Sequence, residues 1–135
     1  MSDAPKRGGV IVRHEGELRF LPASVVVRVA PCPPISRVPG APKPLLGIAY
    51  TGGEIVPVIA IGEARTPLLV CRYLGEPVGI LGCDVVETGT FESDPSAEGA
   101  VIARGAPARS LDLAATFASL QGARWEIAAA GGLDG

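Results

Sequence analysis

The strongest constraint on this chain is where its prolines and glycines fall within its apolar runs. Residues 45–61, "LLGIAYTGGEIVPVIAI", form a 17-residue stretch that is mostly apolar and long enough to suggest a membrane span. Gly52, Gly53 and Glu54 stand at its centre, where a charge and two helix-weakening residues are least tolerated. Split at "TGGE", the stretch becomes two β-rich runs around a tight turn whose glycines accept positive φ. A hairpin is therefore predicted, with no direct insertion into a membrane. The same glycines do not make a phosphate loop, because neither GxGxxG nor GxxxxGK[ST] surrounds them.

The segment before it, "APCPPISRVPGAPKP", holds six prolines and is excluded from helix interiors and central strands. Upstream, "GVIVRHEGELRFLPASVVVRVA" predicts a hairpin turning at "HEGE" and a further strand from Val25 to Val29. Downstream, Leu68–Tyr73 and Val78–Leu81 flank the turn "LGEP". "DVVETGTFES" adds a short extension, and "AVIARGAPARSLDL" holds one or two more strands. Helical spacing occurs only in "SLDLAATFASLQGA". Ser110 or Asp112 can cap it, Leu113, Phe117 and Leu120 share a face, and Gly122 can end it. "RWEIAAA" is read as a possible final strand. Many short strands with Gly/Pro turns and one late helix predict an all-β fold of small barrels.

The chain's 135 residues suffice for one domain with a real core. With 47% hydrophobic and 19% charged residues, it lacks the signature of disorder. Net charge −2, scattered arginines and 4% aromatics disfavour nucleic acid as a partner. "MSDAPKRGG" lacks the apolar core of a signal peptide, and a cytoplasmic location is expected.

Cys32, Cys71 and Cys83 are odd in number, lack CxxC spacing and read as small buried hydrophobes. His14, the only histidine, reads as a bystander at a turn. No metal site can be assembled, and no cofactor motif is present. The carboxylates Glu54, Glu63, Glu76, Asp84, Glu87, Asp94 and Asp112 mostly adjoin turns, and nothing selects a catalytic pair among them. A thiol-dependent enzyme pairing a cysteine with His14 is a remote alternative without an orienting third group. The chain is therefore expected not to be an enzyme, but an interaction module.

"VVRVAPCPPISRVPGAPKPLLGIAYTGGEIVPVIAI" resembles a phrase of the CheW-like domain family of bacterial chemosensory systems. That phrase runs "v-x-E-V … I-x-R-V-P-x-A-P-x-x-v-x-G-v-x-N-L-R-G-x-V-V-P-V-v-D-L". "PVGILGCDV" resembles the family's later strand pair, and "ARSLDLAATFASL" its closing strand and helix. The resemblance spans about residues 9–121, leaving a flexible terminus at 1–8 and a partly flexible extension at 122–135. It implies two small five-stranded SH3-like barrel subdomains, interleaved in the chain and sharing a hydrophobic junction, with a short C-terminal helix.

It also implies a non-catalytic adaptor in chemotaxis or motility signalling, recruited to receptor arrays. Its partners would be the regulatory domain of a CheA-type histidine kinase and the cytoplasmic tip of methyl-accepting chemoreceptors. Matching positions place Val26, Gly47 and Gly79 in or near the receptor groove, where small residues admit close backbone approach.

Three departures stand out. The family's glutamate is Arg28 here, its "N-L-R-G" turn is Tyr50, Thr51, Gly52 and Gly53, and its "V-D-L" ending is Ile59, Ala60 and Ile61. The link "GEARTP" is also short for the family. Arg28 and Gly52 thus join the expected partner-binding positions. A reversed charge in a buried contact costs about 2–5 kcal/mol unless the partner has changed as well. An accessory protein that binds only kinase or only receptor is the alternative to a full adaptor.

Overall fold

The computed structural model describes residues 5–40, 45–112, 114–116 and 118. In chain order the first strands are β1 (Lys6–His14), β2 (Glu17–Pro22), β3 (Val26–Ala30), β4 (Ile35–Ser36), β5 (Leu45–Thr51) and β6 (Glu54–Ala60). They are followed by β7 (Leu68–Tyr73), β8 (Glu76–Leu81), β9 (Asp84–Ser93), β10 (Val101–Ala103) and β11 (Ala106–Ser110). Residues 114–116 and 118 are helical, and the Ala115 N–H donates to Asp112 Oδ1 at 3.0 Å, so Asp112 is the cap. Leu113, Phe117, Leu120, Gly122 and "RWEIAAA" lie outside the described residues.

Four hairpins turn on two residues each: Glu15–Gly16, Gly52–Gly53, Leu74–Gly75 and Arg104–Gly105. Every one of these residues has φ between +53° and +81°, the geometry of a type I′ turn. Such turns match the twist of the flanking strands and fix their register.

β1, β2, β11, β10 and β9 close into a five-stranded barrel in that order. The remaining strands form a six-stranded sheet in the order β3-β7-β8-β6-β5-β4. The sixth strand comes from the proline-rich segment, where Ile35 and Ser36 pair with Ala49 and Ile48 at the edge. Prolines permit strand pairing at an edge, where one row of backbone donors is free. At the other end of the chain, β1 starts at Lys6, inside the segment expected to be a loose terminus. Lys6, Arg7 and Gly8 pair there with Glu92, Phe91 and Thr90 of β9.

The apolar residues sort into three clusters by strand alternation. Ile11, Phe20, Phe91, Val101, Ala103 and Ala108 fill the barrel, with Phe20 and Phe91 edge to face at 6.2 Å. Their β1 and β2 neighbours Val10, Val12 and Leu21 point the other way, onto Leu45, Ile59, Leu69, Cys71 and Ile80 of the six-stranded sheet. This is the expected hydrophobic junction. The far face of that sheet buries Ala49, Val58, Leu68, Val70 and Leu81. Leu68–Cys71 is buried residue after residue because both faces of β7 are covered. His14 ties the halves together: its Nε2 lies 2.7 Å from the Ile61 carbonyl oxygen. It is half-buried and serves as a structural bridge.

Candidate functional site

β3 is the edge of the six-stranded sheet and carries two of the expected partner-binding residues, Val26 and Arg28. Val26 pairs with Cys71 and Arg28 with Val70, so Val27 is the extra residue of a β-bulge. Val26 is half-buried against the junction cluster. Val27 and Val29 are 56% and 38% exposed.

Arg28 reaches toward the β5–β6 turn and lines a cleft there together with Val27. Its Nη2 donates to Thr51 Oγ1 at 2.8 Å. A Cβ on Gly52, which has φ +60°, would lie 2.3 Å from Arg28 Nη1 and 2.8 Å from Cζ. The guanidinium therefore occupies the space that any side chain on residue 52 would need. Beside it, Arg72 Nη2 donates to Glu54 Oε1 at 2.7 Å. The cleft bounded by Arg28, Thr51, Glu54, Val56, Val70 and Arg72 measures about 20 Å³, room for a water at most. On the outer face of the same hairpin Tyr50 and Ile55 stand opposite each other, 70% and 64% exposed.

Gly47 and Gly79 are buried. A Cβ on Gly47 would fall 2.2 Å from the Ser36 carbonyl oxygen, and one on Gly79 would fall 2.9 Å from Leu68 Cδ1. Both glycines make room for strands and side chains of this chain. Ala60 ends β6 half-buried, opposite Leu81 in a parallel pair. Arg28 and Gly52 are thus brought into contact, whereas Gly47 and Gly79 lie under neighbouring strands. The exposed quartet Val27, Val29, Tyr50 and Ile55 escaped the sequence reading. Its one signal there was Tyr50 in place of the family's asparagine.

The thiols are poorly disposed to react. Burial pushes Cys71 up to about 12, with Cys83 nearby adding to the effect, and burial pushes Cys83 up to about 11. Partial burial also raises Cys32. A thiol kept protonated at neutral pH is a weak nucleophile. His14 is engaged with the Ile61 carbonyl. Among the described residues no group of His, Cys, Asp and Glu is placed to hold a metal ion, and no helix is long and apolar enough to cross a membrane.

Residues 8–121 match the family model described as a CheW-like domain. No curated protein matches the chain. Among solved structures, the scaffolding protein TtCheW from Thermoanaerobacter tengcongensis is similar, with a TM-score of 0.61 and 20% identity over 80% of this chain and 84% of that one. The structural likeness shows the fold, and the family match covers the barrel, the sheet and their junction. The chain belongs to the CheW-like domain family, a family of chemotaxis scaffolds and adaptors.

Proposed function

We propose that this protein is a non-catalytic adaptor that joins a CheA-type histidine kinase to the cytoplasmic tips of chemoreceptors, with a partner set adapted to a reversed charge. The observation that carries this reading is the contact between Arg28 and Gly52. These are two of the positions at which the chain departs from the family phrase, and they depart together. Where the family has a glutamate and an arginine, this chain has an arginine and a glycine that leaves space for it. Random loss of an interface would not be expected to leave a cation anchored by Thr51 beside two exposed valines. A partner that presents a carboxylate there would gain a charge-assisted hydrogen bond. The cytoplasm, where kinase and receptor tips meet, is the location this role requires.

The test is calorimetric titration of the protein with the regulatory domain of its cognate CheA-type kinase, alongside an Arg28→Glu variant. Saturable binding that the variant weakens about tenfold or more supports a kinase arm adapted to Arg28. Absence of binding by the natural chain, with binding gained by Arg28→Glu, overturns it. A parallel titration with a receptor-tip fragment separates an adaptor, which binds both, from an accessory protein that binds one.

A further inference from the structure

A second surface lies on the five-stranded barrel, where its wall is incompletely sealed. β2 and β11 run parallel, and their pairing consists of Arg19 with Arg109 and Ser110 with Phe20, continued by the Leu111 N–H donating to the Phe20 carbonyl at 3.0 Å. Toward the start of both strands the ladder stops. The next pair in register, Leu18 with Ala108, is not formed. The seam opens there into a groove of about 600 Å³, lined by Arg13, Glu17, Leu18, Arg19, Pro107 and Arg109, with Gly16 and Ala106 at its margins.

The charge of this groove is opposite to that of the chain. Three arginines face one carboxylate, and that carboxylate, Glu17, is already bound by Arg19 at 2.6 Å. Arg109 stands directly opposite Arg19 in the register, an arrangement of like charges that costs stability unless an anion lies between them. Arg13 and Arg109 are exposed, and among the described residues neither has an ion pair. Asp84 pairs opposite Arg13 in the β1–β9 register but does not line the groove. The neighbouring cation Arg104 is occupied by Glu87 at 3.7 Å.

We propose that this split seam binds an extended acidic segment of a partner protein. The unfinished edge of β2 offers backbone groups for strand addition, Leu18 and Pro107 offer apolar contact, and the arginines select alternating carboxylates. An extended peptide fits better than a compact anion, because the groove is open and its arginines are spread over three strands, β1, β2 and β11. The site is separate from the Arg28 surface and does not depend on the kinase reading.

The experiment uses the full chain and a fluorescein-labelled peptide alternating glutamate and valine, followed by anisotropy at low salt. A peptide with glutamine for glutamate is the control. Binding is expected to be saturable, to weaken about tenfold in Arg109→Glu and again in Arg13→Glu, and to fade as salt rises. Arg109→Gln, which adds no new charge, should weaken it less, and thermal melts of each variant verify folding. Arg28→Glu should leave it unchanged, which separates this site from the kinase surface. Equal binding of the glutamine control, or insensitivity to both Arg109 variants, overturns the proposal. Displacement of the peptide by inorganic phosphate at similar concentration also overturns it, in favour of a small-anion site.

Discussion

Arg28 on β3 and Gly52 in the β5–β6 turn share one volume: the guanidinium fills the space in which a side chain on residue 52 would begin. β7, β8 and β6 separate β3 from β5 in the sheet order, and this contact and the Arg28–Thr51 bond span that distance. Gly52→Ala should cost about 1–2 kcal/mol, since a Cβ at φ +60° is strained and Arg28 must also move aside. In an Arg28→Ala background the cost should be smaller. The double-mutant cycle, measured by urea unfolding, should give a coupling of about 0.5–1 kcal/mol. Strict additivity would mean that the two residues are independent.

Ile80→Ala should destabilise the protein by about 2–5 kcal/mol, as expected for a fully buried isoleucine. Because Ile80 packs in the cluster that joins barrel and sheet, unfolding should remain a single transition by both fluorescence and far-UV circular dichroism. Two separated transitions would show that the junction does not couple the halves.

Cys32 should react first with an alkylating reagent at pH 8, since it is half-buried whereas Cys71 and Cys83 are buried. The latter two should be modified only on unfolding, as read by mass spectrometry of the intact protein. The raised thiols also set a pH dependence. In the unfolded chain they ionise near 9.0, and in the folded chain near 12 and 11. Their protonated form favours the fold, so this contribution is intact below pH 9 and declines as pH climbs toward 11–12. The slope approaches about 1.4 kcal/mol per pH unit for each thiol. Replacing Cys71 and Cys83 by alanine should flatten that alkaline limb.

Asp112→Ala should remove the cap on the helical residues that follow β11, at a cost of about 1 kcal/mol. Asp112→Asn should keep most of the stability, because its side-chain oxygen still accepts from the Ala115 N–H. Thermal melts of the two variants make the comparison.

The hairpins were legible in the sequence wherever two β-rich runs met at "EG", "GG" or "LG", because the turn chemistry and the strand pattern are both local. What spans the chain was not. The parallel pairs β2–β11 and β6–β8 join segments far apart in sequence, and no residue type announces its partner. β9 was read as a short extension, yet it is a ten-residue barrel wall. Its "ETGT" centre is exposed, so the alternation that reveals a half-buried strand is missing. Gly47 and Gly79 looked like openings for a partner helix because small residues permit close approach. In the structure that approach brings Ser36 and Leu68 against them. Arg28 drew notice as a reversed charge, but its fit to Gly52 depends on how β3 and the β5–β6 turn meet in space.

The interleaving of the two halves has a consequence for birth on the ribosome. The six-stranded sheet is complete in sequence once Leu81 has been made, whereas the barrel needs Ala106–Ser110 to close against β2. The β1–β2 hairpin is therefore synthesised first and sealed last. Until the final strands emerge, Ile11 and Phe20 have no barrel to enter, and only the junction face of the hairpin, with Val10, Val12 and Leu21, has a place to dock. A chain released unfinished between residues 82 and 105 would carry every strand of the sheet and an open hairpin, a species for chaperones or proteases to capture.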